Sequence, residues 1–550
     1  MNKLIMNKFI YLVLLNFSLI CVSNLILILD QPYLLDKNLL LGLWSLFNVF
    51  LLVLYIFSFN TYIIKILFVI ILFLNSFFLY ISQYLNVEIG ISLITSIADT
   101  NFLEAFETLN YASIGFILLS IFVAIIFCKI KIKPIENKKT HIIFIVFLLT
   151  SFIISGFVNF NNTKKFFQTA NRPTTKLQRV LIVNIMLYPI NYIFNISKYL
   201  TISRGDFTYV DTIKNNNVKH TPSNNKPYTI VLVIGETSRG ANFSLNGYKR
   251  KTNPNLEKIN NLVYFKNFES CYNSTNYSVS CLLSFYTSNK FISKIDYYTR
   301  NEIASSLSSF TYLNFDTYLL STNSYAPSST MYQYFKDLHH IKFLTYSLNY
   351  LDIDLNKELK QALTQNQNKN KLIILHTMGS HTKYSNRYPK EFAKFLPICG
   401  DKSPNMCIAQ SIINDYDNTI LYVDYVLSEF IKTLKQSNNP SLLIYTSDHG
   451  ESLGDLVYKK RKRWAHGGIS DKDFIANPNL KQQLSTEFHI PAFVWFSDSW
   501  LNVFGDYQLK NAKKLVNKPL NHDYISHSIN DCAFISSKII NKQLSFCSAK

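Results

Sequence analysis

Five apolar runs in the first third of the chain constrain its fold more than any other feature. They lie near residues 9–29, 39–59, 62–82, 112–128 and 142–158. Each is long enough to cross a bilayer, although the last two, with about 17 residues, depend on flanking residues to reach both interfaces. The first run is long, lacks a small-residue cleavage site and precedes four more spans. We therefore interpret it as an uncleaved anchor rather than a signal peptide.

Lysines near the ends of these runs predict an orientation. Lys3 and Lys8 precede the first run, and the loop KIKIKPIENKK (129–139) between the last two runs holds five lysines. The loop after the third run, residues 85–111, has four acidic residues and no Lys or Arg. Because cytoplasmic loops carry an excess of Lys and Arg, we expect a cytoplasmic N-terminus and a location outside the membrane for everything after Val158.

The formal charge is distributed unevenly. Of the total of +20, residues 1–158 carry +2 and the remainder carries +18. A basic surface suits nucleic acid or a membrane rich in acidic head groups. The sequence has no zinc-finger spacing or arginine-rich arm, so we favour the membrane and expect no nucleic-acid partner. The predicted domains are a transmembrane domain (1–158), a bridging segment and linker (159–226) and a soluble domain (227–550).

The bridging segment leaves two interpretations open. Its stretch KLQRVLIVNIMLYPINYIFNISKY (176–199) mixes apolar and basic residues and is interrupted by Pro189. It is either a packing connector or an amphipathic helix on the membrane surface. The polar, turn-rich stretch that follows, residues 215–227, predicts a domain boundary.

Cysteine usage agrees with an oxidising compartment. Cys21 and Cys128 lie within apolar runs and are expected to be free thiols. The other six form short-range pairs, Cys271/Cys281, Cys399/Cys407 and Cys532/Cys547. Such pairs outside the cytoplasm predict disulfides, although sequence alone does not fix the connectivity of the third pair.

Beyond Tyr228, short apolar runs alternate with polar, helix-like stretches. The runs are TIVLVI (229–234), KLIIL (371–375), SLLIY (441–445) and PAFVWF (491–496). Continuous runs of β-branched and aromatic residues with helical segments between them favour parallel strands buried on both faces. We therefore predict an α/β sandwich with a mostly parallel central sheet.

Polar residues follow three of these runs. Glu236 follows the first, His376 and then His381 follow the second, and Asp448-His449 follows the third. Ligands gather outside the carboxyl ends of strands in open α/β sheets, and this ligand set suits zinc or manganese. Taken singly, each has an alternative explanation: a helix cap for the glutamate, a turn for the aspartate and a structural role for a histidine.

Several longer motifs resemble one family. They are GETSRGANFSLNGYKRKTNPNL (235–256), SCYNSTNYSVSC (270–281), LHTMGSHTKYSNRYP (375–389), NDYDNTILYVD (414–424) and SDHGESLGD (447–455). Together, in this order, they resemble the lipid-modifying phosphoethanolamine transferases, which include the mobile colistin-resistance enzymes. The resemblance covers the outer domain, and the five preceding spans fit the same architecture. It implies an alkaline phosphatase/sulfatase-like fold.

The resemblance also implies roles for individual residues. Those matching the family's principal zinc site are Glu236, Thr275, Asp448 and His449. Thr275 matches the nucleophile, and the Cys271–Cys281 disulfide would hold its loop rigid. His381 and His466 match histidines attributed to substrate handling or a second zinc ion, so one ion or two is expected. His376 is a weaker candidate.

The implied reaction has two steps. Thr275 attacks the phosphorus of phosphatidylethanolamine and releases diacylglycerol, and an acceptor oxygen then takes the phosphoethanolamine group. A lipid A phosphate is the favoured acceptor, with a core sugar or a protein as alternatives. The implied location is the bacterial inner membrane, with a periplasmic catalytic domain.

Two other functions stay open at this point. One is a related enzyme, namely a phosphoglycerol transferase or a membrane sulfatase or phosphatase. The other is a non-catalytic membrane sensor or scaffold that kept the fold. The NFSLNGY and RKTNP stretches argue for phosphoethanolamine, and the presence of all four zinc-site residues argues against the scaffold.

The sequence departs from the family in a few places. YKKRKRW (458–464) puts five basic residues before His466, as either a solvated loop or a contact with anionic lipid. STNSYAPSSTMY (321–332) lacks a cysteine pair and a lysine that several relatives carry there. In the loop after the third span, Thr100 and Glu104 match positions linked to the donor head group, where Glu104 would pair with the ethanolamine ammonium.

Overall fold

A computed structural model describes most of the 550-residue chain. The described residues are 5–25, 37–56, 60–84, 89–90, 111–133, 188–203, 208–209, 216–293, 302–303, 305–323, 330–344, 350–400, 407–458, 461–467 and 479–548, with a few positions between 93 and 98 and between 139 and 150. The chain divides into two compact units, one from residues 1–94 and 109–200 and the other from residues 95–108 and 201–550.

The first unit is mostly helical. Its main helices are Lys8–Asn16, which continues as a π-helical turn over Phe17–Val22, then Lys37–Ile56, Thr61–Tyr84, Tyr111–Lys129 and Ile190–Ser203. Two short strands, Ile5–Asn7 and Lys131–Lys133, pair in parallel. The last helix starts immediately after Pro189, as expected from the tolerance of proline at helix starts.

These helices bury amides and expose aliphatic and aromatic groups. The buried Asn75 amide donates to the Leu19 carbonyl at 2.7 Å, and its oxygen accepts from the Tyr192 hydroxyl at 2.9 Å. On the Tyr111–Lys129 helix, Leu118 and Phe122 are 60% and 62% exposed. Inward polar groups that join helices and outward apolar groups are typical of helices packed in lipid.

The five-span arrangement stays a prediction. Among the described residues, one helix, Thr61–Ser82, is long and apolar enough to cross a membrane. The shorter apolar helices are Ile10–Leu25, Leu46–Ile56 and Ser113–Lys129. Most of the fifth predicted run, 142–158, lies outside the described residues.

The second unit is built on a seven-stranded sheet. In chain order its strands are β1 (Thr229–Gly235), β2 (Leu262–Phe265), β3 (Asp316–Ser321), β4 (His340–Phe343), β5 (Lys371–His376), β6 (Ser441–Ser447) and β7 (Ala492–Phe496). The spatial order is β4-β3-β5-β1-β6-β7-β2. The first five in this order are parallel, so the predicted α/β class and mostly parallel sheet are confirmed.

The expected direction of the fourth apolar run is wrong. β7, formed from PAFVWF, runs antiparallel to both β6 and β2. The continuously apolar composition of this run favours a parallel strand. A strand buried on both faces has that composition in either direction, however, so composition does not determine orientation.

The core lies on both faces of the sheet. Along β1, Ile230, Leu232 and Ile234 belong to one hydrophobic cluster, whereas Val231 and Val233 belong to the other. All of them are fully buried, which explains why β1 reads as an uninterrupted apolar run. The Ala409–Gln436 helix contributes to the second cluster and the Asp523–Cys532 helix to the first.

Shorter elements complete this unit. The remaining helices are Thr275–Leu282, Ser288–Ser293, Ser308–Tyr312, Thr330–Gln333, Leu355–Thr364, Leu480–Gln483, Ser485–Phe488, Asp498–Phe504 and Tyr507–Lys513. The two-stranded pairs are Thr208–Tyr209 with Glu302–Ile303, Lys219–His220 with Ile535–Ser536, Phe268–Glu269 with Leu520–Asn521, and Val457–Tyr458 with Arg461–Lys462.

The cysteines follow the predicted pairing. The three disulfides are Cys271–Cys281, Cys399–Cys407 and Cys532–Cys547. The third pairing, which the sequence left open, is therefore formed as well. Cys21 and Cys128 are free, as expected for cysteines within apolar runs.

Candidate active site

The site forms where parallel strands end side by side. The register pairs His376 of β5 with Ile234 of β1, and Ser447 of β6 with Gly235 of β1. The residues after β1 and β6 therefore emerge at one edge of the sheet. Glu236 follows β1 directly and Asp448 follows β6, so both carboxylates reach the same point, as the strand-end argument predicted.

Three hydrogen-bond acceptors converge at this point. His449 Nε2 lies 3.4 Å from Glu236 Oε1 and 3.3 Å from Asp448 Oδ2, and all three side chains are buried. Asp448 Oδ1 accepts from the backbone N–H groups of Thr237 and His449. Its Oδ2 receives no hydrogen bond from any residue that the structure describes.

The orientation of His449 follows from its other ring nitrogen. Nδ1 lies 2.9 Å from the carbonyl oxygen of Gly450, which can only accept a hydrogen bond, so the proton sits on Nδ1 and the lone pair on Nε2 faces the carboxylates. Two carboxylate oxygens and a neutral imidazole nitrogen that converge in this way form a favourable site for a divalent cation. The group Glu236, Asp448 and His449 meets the distance requirement for binding one metal ion.

Thr275 presents its hydroxyl to this group. It is the first residue of the Thr275–Leu282 helix, and its Oγ1 lies 3.2 Å from each oxygen of Glu236 and 3.2 Å from His449 Nε2. Cys271 and Cys281, on either side of it in sequence, form a disulfide. A hydroxyl in contact with a metal-ligand set is placed for activation as a nucleophile.

Burial controls the protonation of the ligand set. Desolvation and the neighbouring Asp448 raise the pKa of Glu236 to about 8, and desolvation raises the pKa of Asp448 to about 7. Desolvation lowers the pKa of His449 to about 4, with a further contribution from His466. Strongly shifted carboxylates and an imidazole at one point are characteristic of functional sites.

His381 and His466 form a second group with Glu236. The ligand atoms of these three lie close enough to hold a metal ion, so Glu236 belongs to both groups. The ring of His466 lies 4.2 Å from that of His449 and 6.0 Å from that of His381, between centroids. Two histidines beside Thr275 are suited to binding a second cation or phosphoryl oxygens.

His466 is oriented by a buried carboxyl. Its Nδ1 lies 3.2 Å from Glu451 Oε2, and the Tyr384 hydroxyl donates to the same oxygen at 3.1 Å. Burial raises the pKa of Glu451 to about 7 and lowers the pKa of His466 to about 3. Glu451 therefore gains or loses its proton near neutral pH, where His466 is neutral.

Other predicted residues lie elsewhere. His376 ends β5 fully buried, belongs to neither metal-binding group, and has a pKa lowered to about 3 by burial. Thr100 and Glu104 lie outside the described residues.

Cys399 and Cys407 form the disulfide that was predicted for them, and neither belongs to a metal-binding group. Cys399 is buried, whereas Cys407 is only half-buried, and both pack against the second hydrophobic cluster. The Cys399 N–H donates to Asp415 of the Ala409–Gln436 helix at 2.8 Å. The disulfide therefore ties the start of this helix to the preceding loop, which is a structural role.

The expectation for the basic stretch before His466 is wrong at Arg463. Arg463 is neither solvated nor available for a lipid contact, because its side chain is 1% exposed and pairs with the buried Glu487. Its neighbour Lys462 is exposed, whereas Lys459 and Lys460 lie outside the described residues. An arginine within a basic run has the same sequence signature whether its partner is solvent or a distant glutamate.

Several site residues were not singled out from the sequence. The Thr237 hydroxyl donates to Glu236 Oε1 at 2.6 Å, and the Asn323 amide donates to Glu236 Oε2 at 3.2 Å. Glu451 lies within the SDHGESLGD motif, which is the one signal that could have identified it. Glu487 is a lone glutamate in a four-residue helix, and only the folded chain brings it to the site.

Comparisons with known proteins identify the family of this chain. The sulfatase family model matches residues 228–535, and the model described as phosphoethanolamine transferase EptA/EptB matches residues 46–203. The phosphoethanolamine transferase EptA of Helicobacter pylori is 28% identical over 463 residues, covering 82% of this chain and 78% of the relative.

Solved structures support the same fold. The integral membrane lipooligosaccharide phosphoethanolamine transferase A of Neisseria meningitidis matches 99% of both chains with a TM-score of 0.76 at 22% identity. The C-terminal periplasmic domain of EptC from Escherichia coli, solved in complex with Zn, covers 61% of this chain and 90% of that domain, with a TM-score of 0.50 at 25% identity. With both family models matched in order, this chain belongs to the sulfatase family and, within it, to the phosphoethanolamine transferases.

Proposed function

We propose that this protein transfers phosphoethanolamine from phosphatidylethanolamine to lipid A through a covalent intermediate on Thr275. The observation that carries the proposal is the contact of Thr275 Oγ1 with Glu236 and His449 Nε2 at 3.2 Å. Membership of the phosphoethanolamine transferases supports the transferred group. The local geometry supports the residue to which that group is attached.

Zinc is the metal we propose for the site. Two carboxylates, one imidazole and a hydroxyl match the ligands that zinc takes in catalytic sites. The Asp448 oxygen that lacks a hydrogen bond among the described residues would be satisfied by a cation. When bound, zinc would lower the pKa of the threonine hydroxyl and withdraw charge from a phosphoryl oxygen. Glu236, Asp448 and His449 would hold one ion, and Glu236, His381 and His466 could hold a second.

In the first step, Thr275 Oγ1 bonds to the phosphorus of the donor lipid. The bond from phosphorus to the glycerol oxygen breaks, and diacylglycerol leaves with a proton. The threonine hydroxyl loses its proton to solvent before the attack, because bound zinc would lower the pKa of that hydroxyl.

His466 and Glu451 provide a proton route. With Glu451 protonated, His466 carries its own proton on Nε2 and can give it to the departing glycerol oxygen. The Glu451 proton then passes to His466 Nδ1, which leaves Nε2 free to accept a proton from an incoming acceptor. Such a pair can assist both halves of a reaction in which leaving group and acceptor occupy the same position in turn.

In the second step, an oxygen of a lipid A phosphate bonds to the phosphorus of phosphothreonine. The bond to Thr275 Oγ1 breaks, which restores the enzyme. The product carries an ethanolamine amine beside the phosphate, so the surface charge becomes less negative. We also propose a location in the bacterial inner membrane with five spans, and a periplasmic catalytic domain, which the apolar exposed faces of the first unit support.

The proposal is tested by mass spectrometry of lipid A from cells expressing either the unchanged chain or Thr275→Ala. We expect a phosphoethanolamine increment only with the unchanged chain. Ser274→Ala, next to the nucleophile, is the matched control and should retain the increment. An increment that persists with Thr275→Ala, or a phosphoglycerol increment in its place, would contradict the proposal.

A further inference from the structure

Arg463 and Glu487 form a buried ion pair near the site. Neither residue belongs to the two metal-binding groups described above. Arg463 Nε and Nη2 contact the two oxygens of Glu487, the second at 3.0 Å, and both side chains are almost fully buried. Burying two charges costs desolvation free energy, and such pairs are often replaceable by apolar residues without loss of stability. Stability alone is therefore a weak explanation for this pair.

Glu487 links two segments that carry reacting groups. Its Oε2 accepts from the Asn273 amide at 2.8 Å, two residues before Thr275. Its Oε1 accepts from the Ser452 hydroxyl at 2.6 Å, directly after Glu451. The Glu487 carbonyl also accepts from the Gly450 N–H at 2.8 Å. One glutamate therefore holds the loop that leads into Thr275, here called the nucleophile loop (residues 271–275), against the segment that follows β6.

Arg463 extends this connection to His466. Its Nη2 donates to the carbonyl of Gly467, the residue after His466. A Cβ at Gly467 would lie 3.4 Å from both the Asn273 carbonyl and the Ser274 side chain, so this segment rests directly on the nucleophile loop. The bidentate guanidinium satisfies Glu487 and the Gly467 carbonyl at once, which a lysine could not do in the same geometry.

We propose that Arg463 and Glu487 are positioning residues that hold His466 in register with Thr275. The inference rests on the proposed function, because it assigns a consequence for turnover. Each side chain acts through a neighbour: Arg463 hydrogen-bonds Gly467 next to His466, and Glu487 hydrogen-bonds Asn273 two residues before Thr275. Their contribution should therefore appear as a lower kcat, with a largely unchanged KM for the donor.

The test measures diacylglycerol release from phosphatidylethanolamine by the full chain in mixed micelles. Arg463→Met is compared in two backgrounds, the unchanged chain and His466→Ala. Lys462→Met is the matched control, since Lys462 is an exposed cation on the adjacent position. Arg463→Lys is a second variant that retains the charge, in case the methionine variant does not fold. Melting temperature and zinc content are recorded for each.

We expect Arg463→Met to lower kcat by about 30-fold or more, within the range attributed to misplacing catalytic groups. In the His466→Ala background the same substitution should lower kcat by less than about threefold, because residues that act through one another are non-additive. Arg463→Lys should show an intermediate loss with the same background dependence. Zinc content and the activity of Lys462→Met should be unchanged.

Equal fold-losses in both backgrounds would overturn the proposal, as would full activity of Arg463→Met or Arg463→Lys. If Arg463→Met does not fold, the comparison of Arg463→Lys in the two backgrounds decides alone. The proposed function fails separately, by absence of diacylglycerol release from the unchanged chain. A chain that turns over normally but shows additive variants would refute only the positioning role.

Discussion

At the residue scale, Thr237 shows how closely the ligands are controlled. It adopts a φ of +60°, which β-branched residues rarely do and which costs conformational energy. In this conformation its N–H donates to Asp448 and its hydroxyl donates to Glu236. One strained residue thereby orients both carboxylates. A strained residue at this position is consistent with a site in which the carboxylate oxygens of Glu236 and Asp448 are held in a fixed orientation.

Replacing Thr237 by valine tests this role. The substitution preserves the side-chain shape but removes the donor to Glu236. We expect zinc affinity to fall about 10- to 100-fold, the range for losing a partner of a metal ligand. Competition with a chelator measures it. Thr433→Val is the control, because it removes a buried hydroxyl that bonds Asn356 within another part of the fold. Equal affinities for the Thr237→Val and unchanged chains would contradict the account.

The raised carboxyl pKa values predict how zinc stabilises the fold at different pH. A carboxyl whose pKa is higher in the folded state than in the unfolded state destabilises the metal-free fold as pH rises between the two values. For Glu236 and Asp448 that window runs from about 4 in the unfolded chain to about 8 and about 7 in the fold. Zinc favours their ionised forms, so its stabilisation should grow with pH across this window.

Melting temperatures with zinc and with chelator therefore should differ more at pH 8 than at pH 5.5. His449 does not change this expectation, because its pKa is lowered to about 4 and it is neutral throughout. The Glu236→Gln variant should lose most of the pH dependence. A zinc-induced shift that is larger at pH 5.5 would show that these carboxyls are not the ligands.

At the element scale, disulfides differ in what they constrain. Cys271–Cys281 encloses Thr275, whereas Cys532–Cys547 joins the Asp523–Cys532 helix to the C-terminal segment. Each closes a short loop, worth about 3 kcal/mol of unfolding free energy by the chain-entropy estimate. Loss of either should therefore lower stability. Only loss of the first should also misplace the nucleophile.

Paired serine substitutions test this difference. We expect Cys532→Ser/Cys547→Ser to lower the melting temperature while leaving kcat within about twofold. Cys271→Ser/Cys281→Ser should lower both the melting temperature and kcat, the latter about tenfold or more, because preorganisation of the nucleophile is lost. Equal kcat values for the two double variants, measured well below their melting temperatures, would contradict the assignment.

The strands that the sequence predicted share one property. β1, β5, β6 and β7 are buried along their whole length, so their apolar runs are continuous. The three that were missed lack a continuous apolar run. β4 alternates between exposed and partly buried residues at the sheet edge, β3 begins with Asp316-Thr317, and β2 has four residues. Edge position hides β4 and shortness hides β2, whereas β3 is buried inside the sheet but contains the polar residues Asp316, Thr317 and Ser321.

The same distinction applies to the site. Glu236, Asp448 and His449 follow strands directly, so the residues alone indicated a common location. Thr275 begins a helix instead, and only the family resemblance distinguished it from other hydroxyls nearby. Glu487 and Arg463 have no local signal, because their pairing joins residues 24 positions apart.

At the scale of the whole molecule, two kinds of surface require two environments. The first unit exposes large apolar side chains on its helices, whereas the second unit has an α/β core and is basic, with a net charge of +12 over residues 201–550. Apolar exposure is stable in lipid, whereas cationic groups favour the anionic membrane surface. The orientation predicted from the lysines has a separate basis, the excess of Lys and Arg in cytoplasmic loops.

Cysteine labelling of intact cells tests that orientation. In a chain with Cys21→Ser and Cys128→Ser, a membrane-impermeant maleimide should label Tyr312→Cys in the second unit, where Tyr312 is 63% exposed. Lys133→Cys, in the lysine-rich loop, should be labelled only after the cells are opened. The reverse pattern would refute the predicted topology.

The central claim is that Thr275 carries phosphoethanolamine between donor and acceptor. The most direct measurement is peptide mass spectrometry of the purified chain after incubation with phosphatidylethanolamine without an acceptor. We predict a phosphoethanolamine increment on Thr275, accompanied by one diacylglycerol per modified chain and removed by adding lipid A. An increment on another residue, or diacylglycerol released at the normal rate by Thr275→Ala, would contradict the account.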